Sequence, residues 1–303
     1  MKKKRKKPAR RVARNLIVPI MLEDGTYDMT QEALSSLISL IMEKNEEMML
    51  TYKIFTGVGA LTENEMKTAR RYGKRANQYY EEARNAWLDY RRSIAMRLFA
   101  DAFEDIRKII NKLNEFGMRA QYFMPNFYYV QHVVDVPEPT MEEIQNLSRL
   151  GIAKANVWKH YWLYVKNIGF AFDQHADWYY RAIVAEAFGF LNEAITFYTS
   201  GEANIHELRG AFLTAIYYID EVTNQLWDFT DPKGEGAKGL PNWTWAAYYD
   251  IMKEKMEKRQ PLGSVREILP AVQQRSILAG YLEPGGEPPP PPPTDFSRFE
   301  FLG

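Results

Sequence analysis

Apolar residues recur at alternating steps of three and four positions along the first half of the chain, which is the spacing of one face of an α-helix. A capping box, Thr62–Glu65, opens this stretch, and Gly117 is a natural place for a helix to end. The stepping shifts once, between Ile94 and Leu98. We therefore predict one long helix from Thr62 to Gly117, bent near that shift. Its apolar stripe consists of Met66, Ala69, Gly73, Ala76, Tyr80, Ala83, Trp87, Tyr90, Ile94, Leu98, Ala102, Ile106, Ile109, Leu113 and Phe116.

Start and stop signals of the same kind predict further helices on both sides of this one. The bounds that the pattern favours are Asp28 or Thr30 to about Phe55, Thr140 through Gly151 toward Lys166, about Ile205 to Trp227, about Thr244 to Lys258, and Ser264 to Tyr281. Pro270 marks a kink or a break in the last of these helices. Residues 118–140 and 231–241 predict loops, although Tyr128–Val134 fits a short strand.

Aromatic side chains occupy every side of any helix that forms between Trp158 and Leu191. A helix that is apolar all round must be covered on more than one face, so this part of the chain is expected to be buried or to lie at an interface. The predicted fold class is predominantly all-α. It consists of a multi-helix body with one very long helix, an extended basic N-terminal arm and a proline-rich C-terminal tail.

The two ends of the chain differ in composition from its middle. Asn15–Leu22 is an apolar run broken by Pro19, which favours an extended peptide. Six consecutive prolines, Pro288–Pro293, predict a semi-rigid polyproline II spacer that carries an aromatic terminal peptide. We therefore divide the chain into a basic arm with an extended peptide (1–22), a helical body (23–283), and a spacer with a terminal peptide (284–303).

Charge is distributed unevenly, although the formal net charge is zero. Nine of the thirty-nine basic residues lie within residues 1–14, which contain no acid, so the remainder of the chain has thirty basic and thirty-nine acidic residues. A cationic segment of this kind binds nucleic-acid phosphates without regard to sequence. The candidate nucleic-acid-binding residues are Lys2, Lys3, Lys4, Arg5, Lys6, Lys7, Arg10, Arg11 and Arg14.

Other roles for the arm stay open at this point. Residues 3–7 equally fit a nuclear localisation signal, and the arm could hold an anionic membrane surface or the acidic bodies of neighbouring subunits. The arm contains no aromatic residue, so stacking on bases is not expected.

The terminal peptide alternates aromatic and charged residues, a pattern suited to adding a strand to another chain or filling pockets on it. The candidate partner-binding residues are Phe296, Phe299, Phe301 and Leu302. The alternatives are a disordered tail with incidental aromatics and a polyproline ligand for aromatic grooves on other partners.

Three groups of acids and histidines have the composition of a metal site. They are His132 with Asp135; Asp173, His175 and Asp177; and Glu186, Glu193, Glu202 and His206. The first two groups lack a third convincing ligand, and the last lacks the Glu-x-x-His units that a helical di-iron site needs. We therefore expect no metal and no cofactor.

Enzyme signatures and membrane segments are also missing from the sequence. Gly234–Gly239 has the letters of a dinucleotide-binding loop, but it runs into Leu240 and Pro241 where a helix should begin. The longest apolar stretches, such as Leu16–Leu22 and Leu37–Met42, fall far short of the ~20 residues that cross a bilayer, and no signal peptide is expected. The chain has no cysteine, which favours an intracellular location. We expect no enzymatic activity.

A basic arm, an aromatic-rich helical body and termini suited to reach neighbours form a layout that is similar to the α-helical capsid proteins of small double-stranded RNA viruses, the partitivirus-like group. The resemblance is one of layout and composition, and it transfers no functional residue. It implies a structural protein that self-assembles into a virion and contacts nucleic acid.

Two alternatives come from other classes of protein. One is a replication accessory or terminal protein that uses the long helix as a rod. The other is a cellular scaffold whose basic segment is a nuclear address or a tether to a membrane surface.

Overall fold

The chain folds into α-helices throughout the part that the structure, a computed structural model, describes: residues 30–119, 137–231, 237 and 240–278. The helices are α1 (Gln31–Gly57), α2 (Glu63–Leu88), α3 (Arg92–Arg119), α4 (Met141–Asn167), α5 (Gln174–Ser200), α6 (Ile205–Thr230), α7 (Trp245–Glu257) and α8 (Val265–Leu278), with a 3₁₀ turn, Asn242–Thr244, before α7. No strand occurs in these ranges. The predicted all-α class is confirmed.

Short polar side chains cap the helices at start positions that were predicted from the sequence. The Thr30 hydroxyl accepts a hydrogen bond from the Ala33 amide, which selects Thr30 over Asp28 as the start of α1. The capping box that opens at Thr62 is confirmed in both directions. Thr140 and Asn204 cap α4 and α6 in the same way, because their side chains accept hydrogen bonds from amides of the first turn.

The prediction of a single helix from Thr62 to Gly117 is wrong. The chain reverses at residues 89–91, so that α2 and α3 form an antiparallel hairpin. Tyr80 and Phe99, which would be far apart in one rod, have ring centroids 6.0 Å apart. The two halves of the apolar stripe therefore cover each other, and each half supplies the partner helix that a long rod would need.

The reversal is a Schellman turn with a tyrosine in the position that glycine usually occupies. Tyr90 has a φ of 60°, in the left-handed region. The Arg91 amide donates to the Ala86 carbonyl (2.9 Å), and the Tyr90 amide donates to the Trp87 carbonyl (3.0 Å). No glycine indicates a turn at this place. The shift in the apolar spacing, at 94–98, therefore predicted a bend several residues after the actual turn.

The core lies where α1, α4 and α6 meet. Helix α1 packs extensively against α4 and also contacts α3, while α6 packs against both α4 and α5. Helix α7 covers α5, and α8 rests on α7. Helix α8 continues through Pro270, so the proline does not break it.

The aromatic stretch after Trp158 is covered on several faces, as predicted. Four of its tyrosines are fully buried, Tyr161, Tyr164, Tyr179 and Tyr180, as are Tyr218 of α6 and Tyr248 of α7. The Tyr179 hydroxyl donates to the Gln225 side chain (2.8 Å), and the Tyr218 hydroxyl donates to the Gln260 carbonyl (3.1 Å). These partners satisfy the hydroxyl groups of Tyr179 and Tyr218, which allows both side chains to serve as core residues.

Candidate nucleic-acid interface

The candidate binding residues that were predicted from the sequence lie outside the described ranges. This applies to the arm (Lys2, Lys3, Lys4, Arg5, Lys6, Lys7, Arg10, Arg11 and Arg14), to the terminal peptide (Phe296, Phe299, Phe301 and Leu302), and to the strand expected at Tyr128–Val134. Their roles stay predictions.

A second concentration of positive charge lies on the α2–α3 hairpin, and the structure brings it together. We call it the basic band; it consists of Lys67, Arg70, Arg71, Lys74 and Arg75 of α2 with Lys108 and Lys112 of α3. At 3.6 residues per turn, the five α2 residues cover about 140° of the helix circumference. All seven are exposed. Lys67 pairs with the exposed Glu63, and Arg75 and Lys108 face the buried carboxylate of Asp105.

The ring of Tyr72 lies next to three cations of the basic band. The guanidinium carbons of Arg75 and Arg71 lie 4.9 and 5.5 Å from the centroid of its ring. The ammonium nitrogen of Lys112, from the facing helix α3, lies 5.1 Å from the same centroid. Cations at these distances are attracted by the electron-rich face of the ring, so one half-buried tyrosine gathers three positive side chains from two helices.

Two further contacts hold the band against the rest of the body. Arg75 donates two hydrogen bonds to the carboxylate of Asp105 on α3, at 2.7 and 2.9 Å, and these bonds raise the pKa of Arg75. At the other edge, Arg70 donates to the Tyr52 hydroxyl of α1 at 3.0 Å. The band is therefore attached to α3 on one side and to α1 on the other.

Most of the charge in the band is not neutralised locally. Among the described residues, no carboxylate lies within ion-pairing distance of Arg70, Arg71, Lys74 or Lys112. The buried carboxylate of Asp105 is the acid that faces Arg75, and it lies 3.9 Å from Lys108. The band can therefore attract anions, although the chain beyond residue 14 is acidic overall.

The sequence does indicate this band, but the net charge of the whole body conceals it. Residues 66–80 include five basic residues and three tyrosines but no acid. The α2–α3 segment, residues 63–119, has thirteen Lys and Arg against nine Asp and Glu. A charge count over short windows would have found this run of cations without an acid.

A different group of charges is buried inside the body. The Lys154 ammonium of α4 lies 2.8 Å from a carboxylate oxygen of Glu47 on α1 and 2.7 Å from one of Asp220 on α6. Lys44 binds the other Glu47 oxygen at 2.6 Å. The side chains of Glu47 and Lys154 are only 2 % and 4 % exposed, whereas that of Asp220 is 37 % exposed.

The buried group is a neutralised network rather than an open site. Burial alone would raise the pKa of the Glu47 carboxyl, but the charges of Lys154 and Lys44 and their hydrogen bonds outweigh it and lower the pKa to about 2. Burial alone would lower the pKa of Lys154, but Asp220 and Glu47 raise it. Both groups are therefore charged at neutral pH and bound to each other.

His132 and Asp135, the first group considered for metal binding, lie outside the described residues. The members of the second group have structural partners. Asp173 caps α5, because its side chain accepts a hydrogen bond from the His175 amide. Asp177 pairs with Lys166 and Arg181. Across the described ranges, no group of three or more His, Asp or Glu side chains is arranged to hold a metal ion.

The remaining acids of the di-iron comparison are also dispersed. Glu186 accepts a hydrogen bond from the Tyr249 hydroxyl at 2.7 Å, and Glu193 lies 3.6 Å from Arg259. His206 contacts Glu138, away from both. Each acid thus serves a separate contact between helices or loops.

Comparisons of the chain with protein-family models, with curated proteins and with solved structures found no match. Within the part of the chain that the structure describes, no helix has both the length and the apolar character needed to cross a membrane.

Proposed function

We propose that this chain is a structural protein of capsid or nucleocapsid type, which self-assembles and contacts nucleic acid through its N-terminal arm. One observation carries the proposal: residues 1–14 hold nine basic residues and no acid, while the rest of the chain has nine more acids than bases. Such a separation of charge favours binding of a polyanion to the arm and of other partners to the rest of the molecule.

Exposed apolar residues at the hairpin turn support the self-assembly part of the proposal. Leu88, Tyr90 and Ile94, at the end of α2, in the turn and in the first turn of α3, are 65 %, 84 % and 42 % exposed. Exposed apolar side chains close together in sequence are typical of contacts between proteins. A second copy of this chain is the partner that a shell or filament subunit requires.

The arm is tested by the salt dependence of binding to a labelled single-stranded oligonucleotide. Each phosphate that a cation neutralises contributes about −0.7 to the slope of log K against log salt concentration. Nine arm cations therefore give the full chain a slope steeper by up to about 6 than that of a chain lacking residues 2–14. Equal affinities and equal slopes for the two chains would overturn the proposal.

A further inference from the structure

We infer that the basic band is a second nucleic-acid contact: a site on the helical body that binds the phosphate backbone of a strand without reading its bases. The inference rests on the proposed function for the identity of its ligand. It goes beyond that function because the band lies on the α2–α3 hairpin and contains no residue of the arm.

The spacing of the band suits a run of phosphates. Lys67 and Lys74 are seven residues apart on α2, which corresponds to about 10 Å along the helix axis. This length exceeds the rise per nucleotide, about 3.4 Å along a duplex, so the edge can face more than one phosphate of a strand. Guanidinium groups such as those of Arg70 and Arg71 bind phosphate oxygens through paired N–H donors.

Four cations of the band contact aromatic side chains of the protein itself. Arg71, Arg75 and Lys112 lie against the ring of Tyr72, and Arg70 is hydrogen-bonded to Tyr52. Long cationic side chains lose rotamer freedom when they bind a partner, and side chains that are already held lose less. The arrangement therefore favours binding in a way that free surface lysines do not.

The surroundings of the band favour nucleic acid over a protein or a membrane. Protein interfaces are anchored by buried aromatic or apolar side chains, and peripheral helices insert apolar residues between lipids. The large exposed apolar residues of the described chain all lie outside residues 63–80. Backbone phosphates need charge and hydrogen-bond donors alone, which is what the band presents.

The test separates the band from the arm by combining variants of both. The band variant carries Arg71→Gln, Lys74→Gln and Lys112→Gln; among the described residues these three cations form no ion pair. The control carries Lys53→Gln, Arg84→Gln and Arg97→Gln, which remove the same charge at exposed helical positions outside the band; of these three, Arg84 lies 3.9 Å from Glu81. Each set is made in the full chain and in the chain lacking residues 2–14. Binding of an oligothymidylate of about 20 nucleotides is measured by fluorescence anisotropy at low salt.

We expect the armless chain to retain weak, salt-dependent binding. The band variant should lower that affinity by about ten-fold and reduce the salt slope by about 2, whereas the control should change affinity by less than about two-fold. Circular dichroism and thermal melting of the variants verify that the helices remain folded.

Two results would overturn the inference. One is an armless chain that binds no oligonucleotide at low salt, and the other is a band variant that binds as well as the control. A band variant that instead reduces self-association of the armless chain without nucleic acid would assign the band to an acidic face of a second copy. If only the proposed role of the arm is wrong, the full and armless chains bind the oligonucleotide equally well.

Discussion

Individual residues show how this body accommodates charge in its interior. Lys154 joins three helices, because its ammonium group binds Glu47 of α1 and Asp220 of α6. A buried ion pair contributes little net stability compared with apolar residues of the same shape, since both charges have to leave water. Removing one partner is much more costly, because the other charge stays buried and is no longer compensated.

Substitution of Lys154 tests this network. Lys154→Met leaves the Glu47 carboxylate buried with Lys44 as its remaining cation. We expect the free energy of unfolding in urea to fall by about 3–5 kcal/mol. The control Lys67→Met breaks an exposed pair with Glu63 and should cost about 0.5 kcal/mol or less. Similar losses in the two variants would show that the Lys154 network is not desolvated.

At the scale of elements, the helix starts were predictable and one turn was not. Thr30, Thr62 and Thr140 cap their helices because a hydroxyl followed by free amides is a local arrangement, visible in a few adjacent residues. Three helix ends, at Gly59, Gly169 and Gly201, have the left-handed glycine that is usual there. At the end of α2 the left-handed residue is Tyr90 instead. The turn there depends on packing between α2 and α3, so no glycine in the sequence indicates it.

The turn can be tested at Tyr90. In the left-handed conformation, a side chain costs about 1–2 kcal/mol, and glycine costs about 0.5–1 kcal/mol in chain entropy. Tyr90 is almost fully exposed, so little packing is lost on its removal. We therefore expect Tyr90→Gly to raise the free energy of unfolding by up to about 1 kcal/mol.

Gly59 supplies the matched control for this experiment. It has a φ of 70° and open space where a Cβ would lie, so Gly59→Ala should lower stability by about 1 kcal/mol through backbone strain alone. A continuous helix through residue 90 would give the opposite result at Tyr90, because glycine inside a helix is destabilising.

At the scale of the whole molecule, charge is arranged in blocks that an overall count conceals. The formal net charge is zero, yet residues 1–14 hold nine basic residues and no acid, and the α2–α3 segment is positive as well. The arm could be predicted because its residues are consecutive. The basic band could be predicted only in part, because Lys108 and Lys112 join it through the reversal at Tyr90, more than thirty residues away from Lys74 in sequence.

The arm and the acidic body have complementary roles in the proposed assembly. In that proposal, the net acidic charge of the body would repel nucleic acid and direct its binding to the arm and the basic band. The proportion of protein to nucleic acid in an assembly would then follow from the number of cations that each subunit contributes.

Size-exclusion chromatography of the full chain and of a chain lacking residues 2–14, both purified at low salt, tests the central claim most directly. The ratio of nucleic-acid to protein absorbance across the elution reports what each chain carries. We predict that the full chain elutes as large particles containing nucleic acid, and that these particles are lost on deletion of the arm or at high salt. A full chain that elutes at low salt as a monomer free of nucleic acid would contradict the account.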